Sequence, residues 1–519
     1  MKTTKRILLV LLAVTLFSSS LLVGCKKKGE ENETTADSVS TTGGDSYETD
    51  KWGQRVYHDV VPDELDYGGK EVNILIRELS PGDPRHYEWT TTTTKDDQLQ
   101  AEVYYRNLEI EEELGVKLNF ITKTDDGTSA ATMNGYITNS FAAGGEGVDI
   151  ISRYHYYGTS MAIMECYKNL MHEDLKYLHL DRPYWNQNFI NYAKSQDRLF
   201  VVLGDMNITA YMTTFSMYFN KQLLSNICKV SDEDMYKIVL DGEWTIEKLT
   251  TMCKDTAQLD GVDGDSEGDI YGFTSHYQVH AYDGYVAAFD IDLVKTTADG
   301  KHTLMDSTTQ RKLGNAADKL VSFYRSSDVF LVGKDSTSYT QPVEYFKNGR
   351  SIFCTAAIGD SQHLTNMGDN AYGLLPLPKY DTDQENYYAG VQDSHNTVAV
   401  MYGNKDYEMI SAVLELFAAK SYASVRPTLF EKVIKGKQLQ DSKSVEVFNL
   451  ILASTRWDFS DIYPTAVQNV RNSIWRDALR DAVYNNGDGA GSVTTAIAQN
   501  RDAINLALSE LDDWLYKHY

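Results

Sequence analysis

The sequence predicts an α/β protein divided into two domains, and three observations carry that expectation. The chain, at 519 residues, exceeds the size at which one hydrophobic core stops growing. Between residues 71 and 152, apolar runs of strand length alternate with segments of helical spacing, the pattern of βαβ units on a parallel sheet. A hydrophobic content of 42% with 11% aromatics supplies enough apolar surface for sizeable cores.

Lys2, Lys5 and Arg6 precede Ile7 to Leu22, which is almost wholly apolar apart from Thr15 and Ser18, Ser19 and Ser20. That order is the n-region and h-region of a secretory signal. The run is shorter than the roughly 20 apolar residues a membrane span needs. Leu22-Val23-Gly24-Cys25 then resembles a bacterial lipobox: Gly24 admits the cleaving enzyme, and the Cys25 thiol is a nucleophile that can carry a diacylglycerol. Two acyl chains anchor stably where one is marginal, since each buried CH2 adds about 0.8 kcal/mol. Residues 1–24 are therefore expected to be a signal, with Cys25 as the lipid attachment and residues 25–69 as a tether. The stretch 26–50 is rich in Ser, Thr, Glu and Gly and has too little apolar surface to offset its ordering entropy. This places the protein on the extracytoplasmic face of the cell membrane.

The folded body begins with EVNILIREL (71–79), a strand, followed by a helix over 98–114 with Leu99, Val103, Ile110 and Leu114 on one face and Gly115 as its stop. A strand at 116–121, a helix at 131–141 and the apolar run at 148–152 complete the α/β pattern. Thr245 is a credible N-cap for the helix after Trp244, with Glu247 in its first turn, and Trp244 itself reads as structural. Pro376 and Pro378 hold 374–381 extended. From Thr494, the spacing of Ile497, Ile504, Leu508, Leu511 and Leu515 predicts a terminal amphipathic helix.

With 74 acidic against 49 basic residues, nucleic acid is excluded as the main partner, because phosphate binding needs clustered Lys and Arg. Cys166, Cys228, Cys253 and Cys354 are widely spaced and read as buried free thiols, with disulfides as the other possibility. The acidic stretch 260–269 mimics half of a calcium loop through Asp263, Asp265 and Glu267. Thr274 stands where a bidentate Glu is required, so the expectation is a solvated turn with no metal and no cofactor.

Several stretches, taken in order, resemble the extracellular solute-binding proteins of ABC importers, of the carbohydrate-type family typified by maltose-binding protein. They are EEELGVKLNF (111–120), GGEGVDIISRY (144–154), TTFSMYFNKQLL (213–224), EWTIEKL with GDIYGF (268–273), VEYFKNGRSIFCTAA (343–357) and AYGLLPLPKYD. The resemblance covers roughly residues 70 to 400. It implies a type II periplasmic-binding-protein-like fold: two α/β lobes joined by a multi-strand hinge, closing on a ligand in the cleft between them. It further implies that the chain crosses between lobes near 209–216 and returns near 389–394. Lobe 1 would then be 70–212 plus 391–519, and lobe 2 213–390.

On this reading the protein is a monomer that captures a small molecule, expected to be an oligosaccharide, and delivers it to the transmembrane subunits of a permease. Tyrosine dominates the aromatics, with 35 Tyr against 17 Phe and 7 Trp, which suits stacking on sugar rings. Open α/β sheets bind at the carboxyl ends of their strands. This directs attention to Arg153, Tyr154, His155 and Tyr156 after the 148–152 run, and to Asp360 after RSIFCTA. Asp393 and His395 follow the presumed return crossing, and Trp89, Trp457 and Trp475 are candidate stacking aromatics. No catalytic group is expected, since GxSxG, HExxH and P-loop patterns are absent. A lipid-anchored glycoside hydrolase, which needs two carboxylates flanking the bond, and the same fold binding a peptide or other small solute stay open as alternatives.

Overall fold

The computed structural model describes residues 59–79, 84–91, 97–126, 130–261, 266–332, 340–364, 367, 371–435 and 442–517. The expected signal, Cys25, the tether up to residue 58, and Asp263 and Asp265 of the acidic loop lie outside the described residues.

β1 (Lys70–Arg77) buries Val72, Ile74, Leu75 and Ile76. α1 (Gln98–Leu114) is capped by Asp97, whose side chain accepts from Leu99 N at 2.8 Å. It stops at Gly115, which takes a φ of 60° that a side chain would resist. β2 (Val116–Lys123) pairs parallel with β1 along its whole length. α2 (Ala131–Ala142) then leads to β3 (Ile150–Tyr154), parallel on the other edge of β1. The expected βαβ order is therefore observed. The third strand begins two residues later than its apolar run because Asp149 is turned aside, accepting from Asn73 N at 2.7 Å through its carboxylate.

The second sheet is built from β4 (Phe215–Asn220), then, after α3 (Ile246–Cys253), β5 (Tyr271–His276). α4 (Val279–Ala288) and α5 (Ser307–Tyr324) precede β6 (Val329–Val332), β7 (Ser351–Ala357) and β8 (Tyr372–Leu375). The strand order is β8-β4-β7-β5-β6, with β4 antiparallel to both its neighbours and the remaining pairs parallel. Thr245 caps α3 as expected, accepting from Lys248 N at 3.1 Å. Trp244 is buried and donates its indole N–H to the Pro376 carbonyl at 3.0 Å, a structural role. Gly284 lets α4 approach closely: a Cβ there would lie 2.9 Å from Phe215 Cγ.

β9 (Ala389–Gly390) is followed by β10 (Asn396–Val400), which returns to the first sheet antiparallel to β3, giving the order β10-β3-β1-β2. α6 (Tyr407–Lys420) packs on α1. The two passages between the sheets lie side by side: Gln392 N donates to Thr213 O at 3.0 Å, and Thr214 bridges Val391. A third passage, β11 (Thr455–Arg456), pairs parallel with β9.

The C-terminal region departs from the expected assignment of 391–519 to the first lobe. α7 (Asp477–Tyr484) and α8 (Gly489–Lys517) pack on α5, which belongs to the second sheet. Gly489 is pressed against the Ala317 backbone, and Ala490 N donates to Asp318 at 2.8 Å. The physical reason is that Ile497, Ile504, Leu508, Leu511 and Leu515 are all buried and α5 offers its own apolar stripe through Leu313, Ala316, Ala317 and Leu320. Amphipathic spacing finds such a helix without saying which surface it covers. Cys166, Cys228, Cys253 and Cys354 are unpaired. No described helix is long and apolar enough to cross a membrane.

Candidate functional site

The carboxyl end of β3 runs into a tight 3-10 turn, His155–Tyr157, and the residues around it separate into interior and rim. Arg153 belongs to the interior. Its guanidinium pairs with Asp125 through two contacts, at 3.1 and 2.9 Å, and donates to Asn134 at 2.9 Å. It is 1% exposed. The expectation that it faces ligand is corrected: its charge is spent holding the loop that carries Asp125, which also accepts from Tyr154 N at 2.9 Å.

His155 and His395 are likewise interior. Their rings stack at 4.4 Å, 21° from parallel. His155 Nε2 lies 2.7 Å from the Asp461 carbonyl and His395 Nδ1 2.7 Å from the Gln392 carbonyl. Burial pushes both imidazoles down, His395 to about 4 and His155 well below its ordinary value, so both are neutral. Trp457 closes this cluster edge-on to Phe189 at 5.3 Å. Trp89 is buried against Phe417 and donates to Ser152 Oγ at 2.7 Å. Trp475 is buried and donates to the Tyr282 carbonyl at 2.8 Å. None of the three tryptophans presents a ring to solvent, because each indole fills a gap between packed layers.

The rim is formed by the part-exposed Tyr156 and Asp393 with the nearly buried Tyr154, while Asp360 is part-exposed at the end of β7, in the second sheet. The Tyr154 hydroxyl donates to Asp393 at 3.4 Å while the Arg77 guanidinium covers its ring at 4.3 Å. Burial, with Asp393 beside it, raises the Tyr154 hydroxyl far above the usual phenol range, so it stays protonated. Tyr156 is half-buried, its ring 6.1 Å from that of Tyr154, with Asn469 near its hydroxyl. Asp360 lies in the 3-10 turn Ile358–His363 after β7, accepting from Ala357 N at 2.8 Å with His280 Nε2 3.9 Å away.

Sequence reasoning missed the groups that tie this rim together. Asp283 on α4 is almost fully buried and is gripped by Arg476, whose Nε donates at 2.6 Å and whose Nη2 bonds the other oxygen. Burial alone would raise the Asp283 carboxyl, but Arg476 and Arg471 outweigh it and hold the carboxyl below its ordinary range. Arg471 reaches Asp461 at 3.1 Å, Asp393 at 3.5 Å and Asp283 at 3.7 Å. At 3.6 residues per turn, positions 471 and 476 would point roughly 140° apart. A π-helical turn over Asn472–Arg476 loosens the winding and brings both guanidiniums to Asp283. Just upstream, Gln468 and Asn469 take positive φ values of 62° and 49°. That turn sets Asn469 beside Tyr156.

The arrangement offers acceptor oxygens and phenol donors, suited to pairing hydroxyl groups. Asp458 is raised to about 7 by its burial and by neighbouring Asp461. Its oxygens are already taken by Leu293 N and Val294 N on one side and by the Ser460 amide and hydroxyl on the other. It is a structural carboxyl. Around the acidic loop, Asp269 accepts from Asp260 N and Ser266 N, each at 3.0 Å. Among the described residues no His, Cys, Asp and Glu cluster suits a metal ion.

No protein-family model matches the sequence, and no curated protein matches it. Solved structures do match. The sugar-binding protein MalE from Xanthomonas citri is 11% identical, with a TM-score of 0.55 over 87% of this chain and 100% of that one. An ABC substrate-binding protein from Listeria monocytogenes, in complex with cycloalternan, is 10% identical at a TM-score of 0.52, covering 85% and 99% of the two chains. The galacto-N-biose-/lacto-N-biose I-binding protein of an ABC transporter from Bifidobacterium longum, in complex with lacto-N-biose, is also 10% identical at 0.52, covering 85% and 98%. The likeness establishes the fold, the two-lobed type II arrangement of MalE-like binding proteins.

Proposed function

We propose that this chain is the extracellular solute-binding component of an ABC importer, which captures a carbohydrate, of oligosaccharide size, between its lobes and presents it to a membrane permease. One observation carries the reading. At the carboxyl end of β3, Tyr154 of the first sheet meets Asp393 of the return passage, and Arg471 links that carboxylate to Asp283 on α4, beside the paired passages that join the two sheets. Tyr154, Tyr156, Asp360 and Asp393 are the groups proposed to meet the sugar, with Asn469 beside them. The fold adds support, since the structures it resembles include binding proteins holding cycloalternan and lacto-N-biose.

In this reading lobe 1 comprises about 70–212 with 396–420, and lobe 2 comprises 213–388 with the last two helices. The chain is a monomer, cleaved after residue 24 and held to the membrane by a lipid on Cys25. Binding needs no covalent chemistry, in keeping with neighbours that are binding proteins.

The test is a thermal-shift screen of the purified full chain against mono- and oligosaccharides, amino acids and short peptides. A ligand at 100 times its dissociation constant adds about 2.7 kcal/mol. A shift with one sugar class supports the proposal, and a shift with peptides alone overturns the carbohydrate part. Sustained turnover of a chromogenic glycoside would overturn the binding-only mechanism.

A further inference from the structure

Arg471 stands where three separate stretches of the chain converge. The turn that follows it is fixed to the second lobe: Trp475 donates to the Tyr282 carbonyl and Arg476 grips Asp283, both partners on α4. Asp461 is tied to both lobes: Asp458, which donates its N–H to the Asp461 carboxylate at 3.1 Å, accepts from Leu293 N and Val294 N of the second, while Asp461 itself reaches the first. Its carbonyl meets His155, and the neighbouring Ile462 carbonyl accepts from Thr159 Oγ at 2.7 Å. Asp393 lies on the return passage, bonded to Tyr154. The Arg471 guanidinium therefore joins the second lobe to Asp461, on a stretch bonded to both lobes, at 3.1 Å and to Asp393, on the return passage, at 3.5 Å, while its Nε faces Asp283 at 3.7 Å. The Arg471 side chain is 11% exposed and those of Asp393 and Asp461 17% each, so water screens these charges only partly.

We infer that Arg471 is an electrostatic latch that holds the lobes together and couples closure to ligand contact. The division of labour follows from the distances. Arg476 satisfies Asp283 with a tight two-point grip, which leaves Arg471 to serve Asp461 and Asp393. Its contact with Asp393 is longer than an ordinary hydrogen bond, and a small separation of the lobes ends it. Asp393 uses one oxygen for Arg471 and the other for Tyr154. A sugar hydroxyl arriving at Tyr154 would therefore bear on the same carboxylate that the latch holds. Gln468 and Asn469, both in the left-handed region, lie in the connection between Asp461 and Arg471.

The inference rests on the proposed hinged binding of a ligand, yet its test needs none. Small-angle scattering of the ligand-free full chain compares the native protein with Arg471→Gln and Arg471→Lys. Removing one partner of a buried charge pair leaves the others uncompensated. Arg471→Gln should raise the radius of gyration by about 1 Å over the roughly 24 Å expected of a folded chain this long. Arg471→Lys should stay close to the native value. In 1 M NaCl, where the Debye length is about 3 Å, the native protein should move toward the Gln variant. If Arg471→Gln fails to fold, Asp393→Asn removes one arm of the latch and should open the molecule to a lesser degree. Lowered melting temperatures with unchanged scattering in every variant would make Arg471 a structural residue and overturn the inference. Opening of the variants alongside a silent sugar screen would keep the latch and remove the carbohydrate reading.

Discussion

Replacing His395 with Gln should flatten the acid sensitivity of this protein, and the size of the effect follows from the histidine stack. His395 is fully buried between the His155 ring and Trp457, with Arg77 and Arg471 as the nearby positive charges. Burial, and to a lesser extent the two arginines, hold it at about 4 against an unperturbed 6.5. A base whose folded value is depressed is protonated first in the unfolded state as pH falls. Stability is therefore complete above about pH 6.5 and drains away down to about pH 4. At 1.36 kcal/mol per unit, the contribution lost by pH 4.5 is about 2.5 kcal/mol. His155, depressed for the same reasons, adds to the loss. Asp205, raised to about 6, and Asp458, raised to about 7, act in the opposite sense, because the folded state takes up their protons first. The bare acid profile mixes these terms, so the difference between native and variant is the informative quantity. Gln keeps an amide donor for the Gln392 carbonyl while removing the titration. Urea unfolding at pH 7 and pH 4.5 should show the native protein losing about 2.5 kcal/mol more than His395→Gln. Parallel losses, within about 0.5 kcal/mol, would refute the argument that a buried neutral stack lies at the return passage.

Other substitutions test the layers beneath the site. Asp125→Ala strands the buried Arg153 guanidinium and should cost about 3–5 kcal/mol in urea unfolding, whereas exposed ion pairs such as Lys70–Asp406 should change stability by less than about 1 kcal/mol. Gly284→Ala would gain up to about 1 kcal/mol of helix propensity. Its Cβ would meet Leu377 Cδ1 at 2.6 Å and Phe215 at 2.9 Å, so overpacking of about 1–3 kcal/mol should win and the melting temperature fall. Thr245→Ala removes the acceptor for Lys248 N and should cost about 1 kcal/mol. Trp475→Ala should destabilise by about 3–5 kcal/mol, and Trp475→Phe should leave ligand affinity unchanged if that ring only fills the core.

Local signals in the sequence carried the first lobe well. The stop at Gly115, the helix spacing from Leu99 to Leu114 and the parallel pairing of the first three strands depend on neighbours within a few tens of residues, and all are observed. The destination of the last helix was not legible. Its apolar stripe is plain in the sequence, but both lobes offer apolar surfaces, and only the packed structure selects α5. The same limit explains the tryptophans. A large aromatic residue after a polar stretch suits a sugar face and a core equally, and burial decided for the core at Trp89, Trp457 and Trp475.

The site itself was half legible for a different reason. Strand ends are marked by apolar runs, so Tyr154, Tyr156 and Asp360 could be found from where β3 and β7 stop. Asp283 lies inside a helix that reads as core, and Arg471 and Arg476 have a spacing that a regular α-helix would send to different faces. What makes them a unit is the π-helical turn, a departure from the winding on which sequence patterns rely. Buried charge also needs its partners before it is affordable: Asp283 is tolerable inside α4 only because two guanidiniums arrive from a stretch nearly two hundred positions away. Such a cluster would be costly to keep for stability alone, since apolar residues of similar volume fill a core as well or better. Its extension through Arg471 to Asp461 and Asp393, beside the passages that join the lobes, supplies the reason to keep it: under the proposed latch those outer contacts make closure conditional, which packed hydrocarbon does less selectively.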